Sequence, residues 1–271
     1  MDPIKIHTIV THRQPHWDEA VAKLLLVLFG EAFFPGVSTA KTIFWNAGSS
    51  TPDGRPALEW EAEGYILVGV GGGRFDEHPS KTQERKKDCA ATLVAKYLGV
   101  DNDPALKSLL DYTCETDLSR ISLPGQFKNL AIFGIANLGK LVNRFAGGDD
   151  QKVLDWMIVA AEAQYLSQKS FFEAKKEFAE KAVVTEVKLN SCHEPLKVSA
   201  IISENTSMKD LARSREGNQS AVFIQQNSKG QIQIHTNTVA YKGLKIYDAV
   251  RLVRAAEFMA KFGALNGEMP T

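Results

Sequence analysis

An α/β fold is what this 271-residue sequence predicts: a mainly parallel sheet flanked by helices, a helical connector and a smaller C-terminal α+β domain. Three observations carry that prediction. In the first half, apolar runs of strand length alternate with helical patterns, as in βαβ units. From residue 104 to about 181 the helical pattern is nearly continuous. Beyond it, short strand-like runs return, two of them joined by a hairpin signal. The expected divisions are 1–145 for the α/β domain, 146–181 for the connector and 182–271 for the smaller lobe.

The elements follow in order. Residues 4–10 (IKIHTIV) form an apolar, strand-like run, and 18–29 have helical spacing with Asp18 placed to serve as N-cap. Residues 41–46 are strand-like, and 47–56, rich in Gly, Ser and Pro, form a loop. Residues 65–70 are the next apolar strand, broken at Gly71, Gly72 and Gly73. An amphipathic helix over 88–98 is closed by Gly99. After a break at 147–150 (GGDD), residues 151–181 are expected as one long helix, supported by acid–base pairs at helical spacing. Strands are expected over 183–189, 198–203 and 221–226, the last turning through 227–230 (NSKG) into 231–236. Helices over 208–213 and 247–262 complete the lobe.

Composition narrows the function. Hydrophobic residues at 44% and charged residues at 24% are ordinary for a globular chain, and a formal net charge of zero gives no global pull toward nucleic acid or membranes. Cys89, Cys114 and Cys192 are widely spaced and odd in number, which argues against a disulfide framework or a thiolate zinc site and fits a reducing compartment. No run approaches the roughly 18–20 apolar residues of a membrane span. Met1-Asp2-Pro3 lacks the basic and apolar regions of a signal peptide, so a cytoplasmic location is expected.

The chemistry gathers in two loops. Thr11-His12-Arg13-Gln14-Pro15-His16-Trp17-Asp18-Glu19 puts two of the six histidines beside a carboxylate, between a strand and a helix. Loops at the carboxyl ends of parallel strands are where such sheets bind ligands. Imidazole with carboxylate suits Mn or Zn better than calcium. The bland alternative is that His16 and Asp18 cap the helix and His12 is an ordinary polar residue. The second loop, Phe75-Asp76-Glu77-His78-Pro79, brings another carboxylate–imidazole set to the same expected edge; alone it could be a solvated turn. The glycine run is not a dinucleotide fingerprint, because its third glycine would fall on Arg74 and no helix opens behind it. Gly71 and Gly72 are expected to let backbone approach a ligand or metal, or to form a flexible turn. Arg74, Lys81 and Arg85, with Lys86 and Lys87, are candidate contacts for substrate phosphates or simply a solvated basic loop. Asp111 or Asp117 could project into the cleft from a helix.

The order of these motifs resembles the DHH phosphoesterase superfamily. The shared order is strand, Thr-His-x-x-x-His-x-Asp-Glu and helix, then strand, Gly-Gly, Asp-x-His and a further helix. It looks most like the branch of metal-dependent protein hydrolases of the melanocyte-proliferating-gene type, which includes a nuclease. The motifs cover roughly residues 4–120, and the helix at 88–99 (DCAATLVAKYLG) matches that branch in place. The resemblance implies two divalent metals, Mn first with Mg or Zn as alternatives, that activate water for attack on phosphorus. His12 and His16 would serve one metal and Asp18 the other, with Asp117, less readily Asp111, completing the set. Asp76 and His78 would be catalytic, with His78 on the substrate phosphate. The implied partner is a small phosphorylated substrate or a nucleic-acid end, with no membrane; a homo-oligomer is left open. Arg213, Arg215 and Lys242 are candidate contacts from a lobe that closes over substrate.

Two positions depart from the pattern. Glu77 stands where the motif has its first histidine, and could supply carboxylate charge to a metal. Gly69 stands where the family carries a bridging aspartate. These departures motivate alternatives: a DHH-like nucleotide- or metal-binding protein without turnover, or a single-metal hydrolase of another bond.

Overall fold

Strand β1 (Thr8–His12) is buried along its whole length, as a central strand covered on both faces must be. In the computed structural model, which describes residues 4–78, 87–118, 134–145, 149–187, 195–242 and positions 244, 247 and 250, it is flanked by β2 (Lys41–Trp45) and β3 (Tyr65–Leu67). Both pairings are parallel, with Val10 opposite Ile43 and Leu67, and His12 opposite Trp45. The expected mixed α/β fold with a parallel sheet is therefore the observed one. All three strands end at one rim. β3 is shorter than its apolar run because Gly69 has a positive φ of 64° and turns the chain out of the ladder.

Helix α1 (Trp17–Phe29) buries Ala20, Val21, Leu24 and Leu25, and α3 (Ala90–Leu98) packs beside it with Val94 and Ala95 buried. Its N-cap is His16, so Asp18 lies inside the first turn rather than at the cap. Acidic residues there are favoured by the helix dipole. Helix α2 (Ala57–Ala62) follows the loop after β2, and the small core beside it joins Val10, Leu67 and Val70 to Trp45, Trp60 and Tyr65. Helix α4 (Pro104–Asp117) opens with Asp103 accepting a hydrogen bond from the Ala105 N–H and Pro104 in its first turn. Helix α5 (Ile135–Phe145) precedes the 32-residue α6 (Asp150–Lys181).

The chain divides into two compact units between Gln168 and Lys169, a division that falls within α6. In the second unit β4 (Val183–Val187), β5 (Leu196–Ile202), β6 (Val222–Gln226) and β7 (Ile232–Thr236) form a mixed sheet in that order. β6 and β7 pair as the expected hairpin. Helix α7 (Met208–Arg213) buries Met208 and Leu211 with Phe223, Ile201 and Ala174. The expected helix over 247–262 lies outside the described residues apart from Tyr247 and Val250. No helix among the described residues is long and apolar enough to cross a membrane.

One buried bond ties α1 to α4: Trp17 Nε1 donates to Thr113 Oγ1 at 3.0 Å. Thr113→Val would strand that indole N–H, and a loss of about 1–3 kcal/mol is expected from urea unfolding followed by tryptophan fluorescence.

Candidate metal centre

The loop between β1 and α1 is held from three sides. The Arg13 N–H donates to Trp45 O at 2.7 Å, the Gln14 N–H to Asp150 Oδ1 at 2.9 Å, and Asn143 Nδ2 to Pro15 O at 3.1 Å. Gln14 takes a positive φ of 56°, unusual for a residue with a side chain and characteristic of over-determined functional loops. The fixed loop aims His12, His16 and the first turn of α1 at one spot. The His12 and His16 rings meet edge to face, 4.9 Å between centroids.

The centre of the cluster is the glutamate that closes the Thr-His-x-x-x-His-x-Asp-Glu pattern, a residue to which the sequence assigned no role. Glu19 is 1% exposed; its Oε1 lies 2.7 Å from His12 Nε2, and its Oε2 accepts the His16 N–H at 2.7 Å. His12 Nδ1 donates to Arg13 O at 2.8 Å. Both ring nitrogens of His12 thus face acceptors, which favours the imidazolium. Burial works against that charge, but the Glu19 carboxylate overcomes it and lifts His12 to about 9. Burial likewise opposes ionisation of Glu19, yet His12 and His16 bring it down to about 2.

The two flanking sets converge on this pair. His16, Asp18 and Asp117 offer ligand atoms within 4.8 Å of one another, as do His12, His16 and Glu19, and as do Asp76, Glu77 and His78. Asp117 arrives because it stands four residues after Thr113, on the helix face that Trp17 holds. Asp111 faces elsewhere and pairs with Lys107 Nζ at 2.8 Å. A small pocket lined by His16, Asp18, Asp117 and Lys140, with room for about one water, lies over the second set. Burial lowers His16. Burial, then Glu19, Asp117 and Glu77, hold Asp18 well above the usual carboxylate range. Burial also raises Glu77 to about 7, with Glu19 and Asp117 adding to the shift. Asp18 Oδ2 and Glu77 Oε2 are buried and find no hydrogen-bond partner among the described residues. Orphaned carboxylate oxygens beside neutralisable imidazoles are what a divalent cation would satisfy.

The other expected residues take different places. Asp76 is spent on its own turn: it accepts the Gly72 N–H at 2.7 Å and the His78 N–H at 2.9 Å, and holds His78 Nδ1 at 2.9 Å. That hydrogen bond, against burial, raises His78. Gly71 and Gly72 approach the loop after β2. The Gly71 N–H donates to Gly48 O at 2.8 Å, and a Cβ on Gly72 would meet Ser49 O at 2.6 Å. With the Gly72 N–H given to Asp76, neither amide is left for a phosphate. Arg74 is bound to Glu61, Nε to Oε1 at 3.0 Å, and to the Tyr97 hydroxyl, away from the cluster's residues. Arg213 pairs with Asp210 in the second unit. Lys81 and Arg85 lie outside the described residues. Lys140 and Glu19 are additions; a Glu three residues after His16, as in a capping box, was the available signal for the latter.

Charge predicts a pH response in protein stripped of divalent ions. Glu77, raised from 4.5 to about 7, costs stability increasingly as pH climbs between those values. His12, raised from 6.5 to about 9, contributes fully below 6.5 and loses its contribution as pH rises through 9. Glu19, lowered to about 2, contributes above 4.5 and is lost only on acidification. Thermal melts should therefore show Glu77→Gln flattening the fall in melting temperature between pH 5 and 7, while leaving the fall toward pH 9. An unchanged profile would contradict the buried placement of Glu77.

No protein-family model matches the chain, and no curated protein matches it either.

Proposed function

We propose that this protein is a divalent-metal-dependent phosphoesterase of the DHH kind, acting on a phosphodiester in a nucleotide or at a nucleic-acid end. The supporting observation is the convergence, on one rim of a parallel sheet, of His12 and His16 with the carboxylates of Asp18, Glu19, Glu77 and Asp117, two of them carrying oxygens without partners among the described residues. Nitrogen and carboxylate donors together fit Mn first, with Zn or Mg as alternatives. His12 and His16 would serve one ion and Asp18 and Asp117 another, with Glu77 adding charge. When bound, such ions supply Lewis acidity and a water of lowered pKa.

The chain's own groups then have distinct tasks. Glu77, with its carboxyl near 7, takes or gives a proton in the working pH range. His78, whose pKa the Asp76 hydrogen bond raises, would hold a phosphoryl oxygen through its remaining ring nitrogen. Asp76 positions that ring rather than touching substrate. Lys140, at the pocket that His16 and Asp117 line, balances the anionic charge of the substrate. We place this activity in the cytoplasm, where Cys89 and Cys114, both free, would remain thiols.

The assay compares protein stripped with chelator and reloaded with Mn on dinucleotides, end-labelled oligonucleotides and an aryl phosphodiester. Cleavage at least about 100-fold above a His16→Ala, Asp18→Ala double variant is expected; no cleavage above that variant on any substrate would sink the reading. A second reading, ligand binding without turnover, is favoured by the engagement of Asp76 and Arg74 elsewhere. Calorimetric binding of a nucleotide with no product formed would support it in place of the first.

A further inference from the structure

The geometry points to Glu19 as a direct ligand of the divalent ion, occupying the volume that a side chain on residue 69 would otherwise fill. This rests on the metal-dependent reading above. Gly69 follows β3, and a Cβ built on it would fall 2.7 Å from Glu19 Oε1 and 3.0 Å from its Cγ. Its positive φ of 64° already strains any side chain, though Asp and Asn visit that region. The Glu19 carboxylate adds a second bar, because it lies in the volume that a side chain on residue 69 would enter. Position 69 and helix α1 compete for one space, and the carboxylate comes from the helix.

The side of His12 that Glu19 faces separates a ligand from a mere support. A carboxylate that orients a metal-binding imidazole takes the nitrogen turned away from the ion. In His12 that nitrogen is Nδ1, already bound to Arg13 O. Glu19 stands instead on Nε2, the atom left to ligate. Neighbouring ligands on one ion, each about 2.1 Å from it, lie roughly 3.0–3.4 Å apart. The observed 2.7 Å therefore needs to open by only a few tenths of an ångström. Capping accounts for Oε2, which takes the His16 N–H, but not for Oε1, which lies on His12 Nε2. Asp18 Oδ2 and Glu77 Oε2, buried and without partners among the described residues, independently mark this spot as suited to a cation.

Mn2+ alone is the probe. The full chain, stripped with chelator, is titrated while the electron paramagnetic resonance of free Mn2+ is followed. Glu19→Gln preserves the side chain's volume and should weaken binding at least about ten-fold. Gly69→Asp in the native background should lose binding or stability, because its side chain meets Glu19. The pair Glu19→Ala, Gly69→Asp should recover most of the binding by moving the carboxylate to the other element. Diffraction at the manganese edge from Mn-soaked wild-type crystals needs no variant: an ion within about 2.5 Å of a Glu19 oxygen agrees with the inference, and one beyond about 4 Å overturns it. Wild type that binds Mn2+ no better than Glu19→Gln overturns it too, while leaving the metal-dependent reading intact. Wild type that binds no Mn2+ overturns both.

Discussion

The buried pair of His12 and Glu19 is the contact on which the rim of the sheet depends. It joins the last residue of β1 to the first turn of α1, and the same carboxylate fixes the His16 amide at the helix start. Removing one partner of such a pair leaves an uncompensated buried charge, a loss of about 3–5 kcal/mol, whereas the intact pair adds little net stability. Its value lies in position. Because β1 is parallel to β2 and β3 and central between them, whatever the pair holds at the end of β1 also faces the loops that leave the other two strands.

That arrangement explains why some of the site was legible in the sequence. His12, His16 and Asp18 sit at a strand-to-helix junction, where periodicity changes from two to 3.6 and chemistry concentrates. Asp117 could not be separated from Asp111 by composition. Only helical phase separates them, since the face of α4 is set by the Trp17–Thr113 bond between residues 96 apart. Glu19 was hidden for a related reason. An acidic residue in a first turn is so ordinary that its inward direction shows only once Gly69, fifty residues away, is seen to make room for it.

Asp76, Gly71 and Gly72 were legible in kind but not in use. The glycines do have positive φ and do allow close approach, yet what approaches is the loop after β2. A carboxylate two residues before a histidine is the same pattern whether it works on substrate or ties a turn, because Asp side chains readily accept backbone N–H groups two residues on. Asp76 does the latter, and through it His78 is held. The expected extent of the third strand failed on the same feature: Gly69 ends the ladder by turning left-handed, although Val68 still donates to Val10 O at 2.9 Å.

Electrostatics separates the structural and the functional accounts of the cluster. A fold seeking stability would not bury Asp18, Glu19 and Glu77 within reach of Asp117, since each carboxylate raises the cost of ionising the next. The imidazolium of His12 relieves one of them and leaves Asp18 and Glu77 each with an oxygen that no hydrogen bond reaches among the described residues. Protons can neutralise the excess, but they give those oxygens no shared partner. A divalent cation would do both. Buried carboxylates crowded at the expense of stability are the pattern expected where a site is shaped for binding rather than for folding.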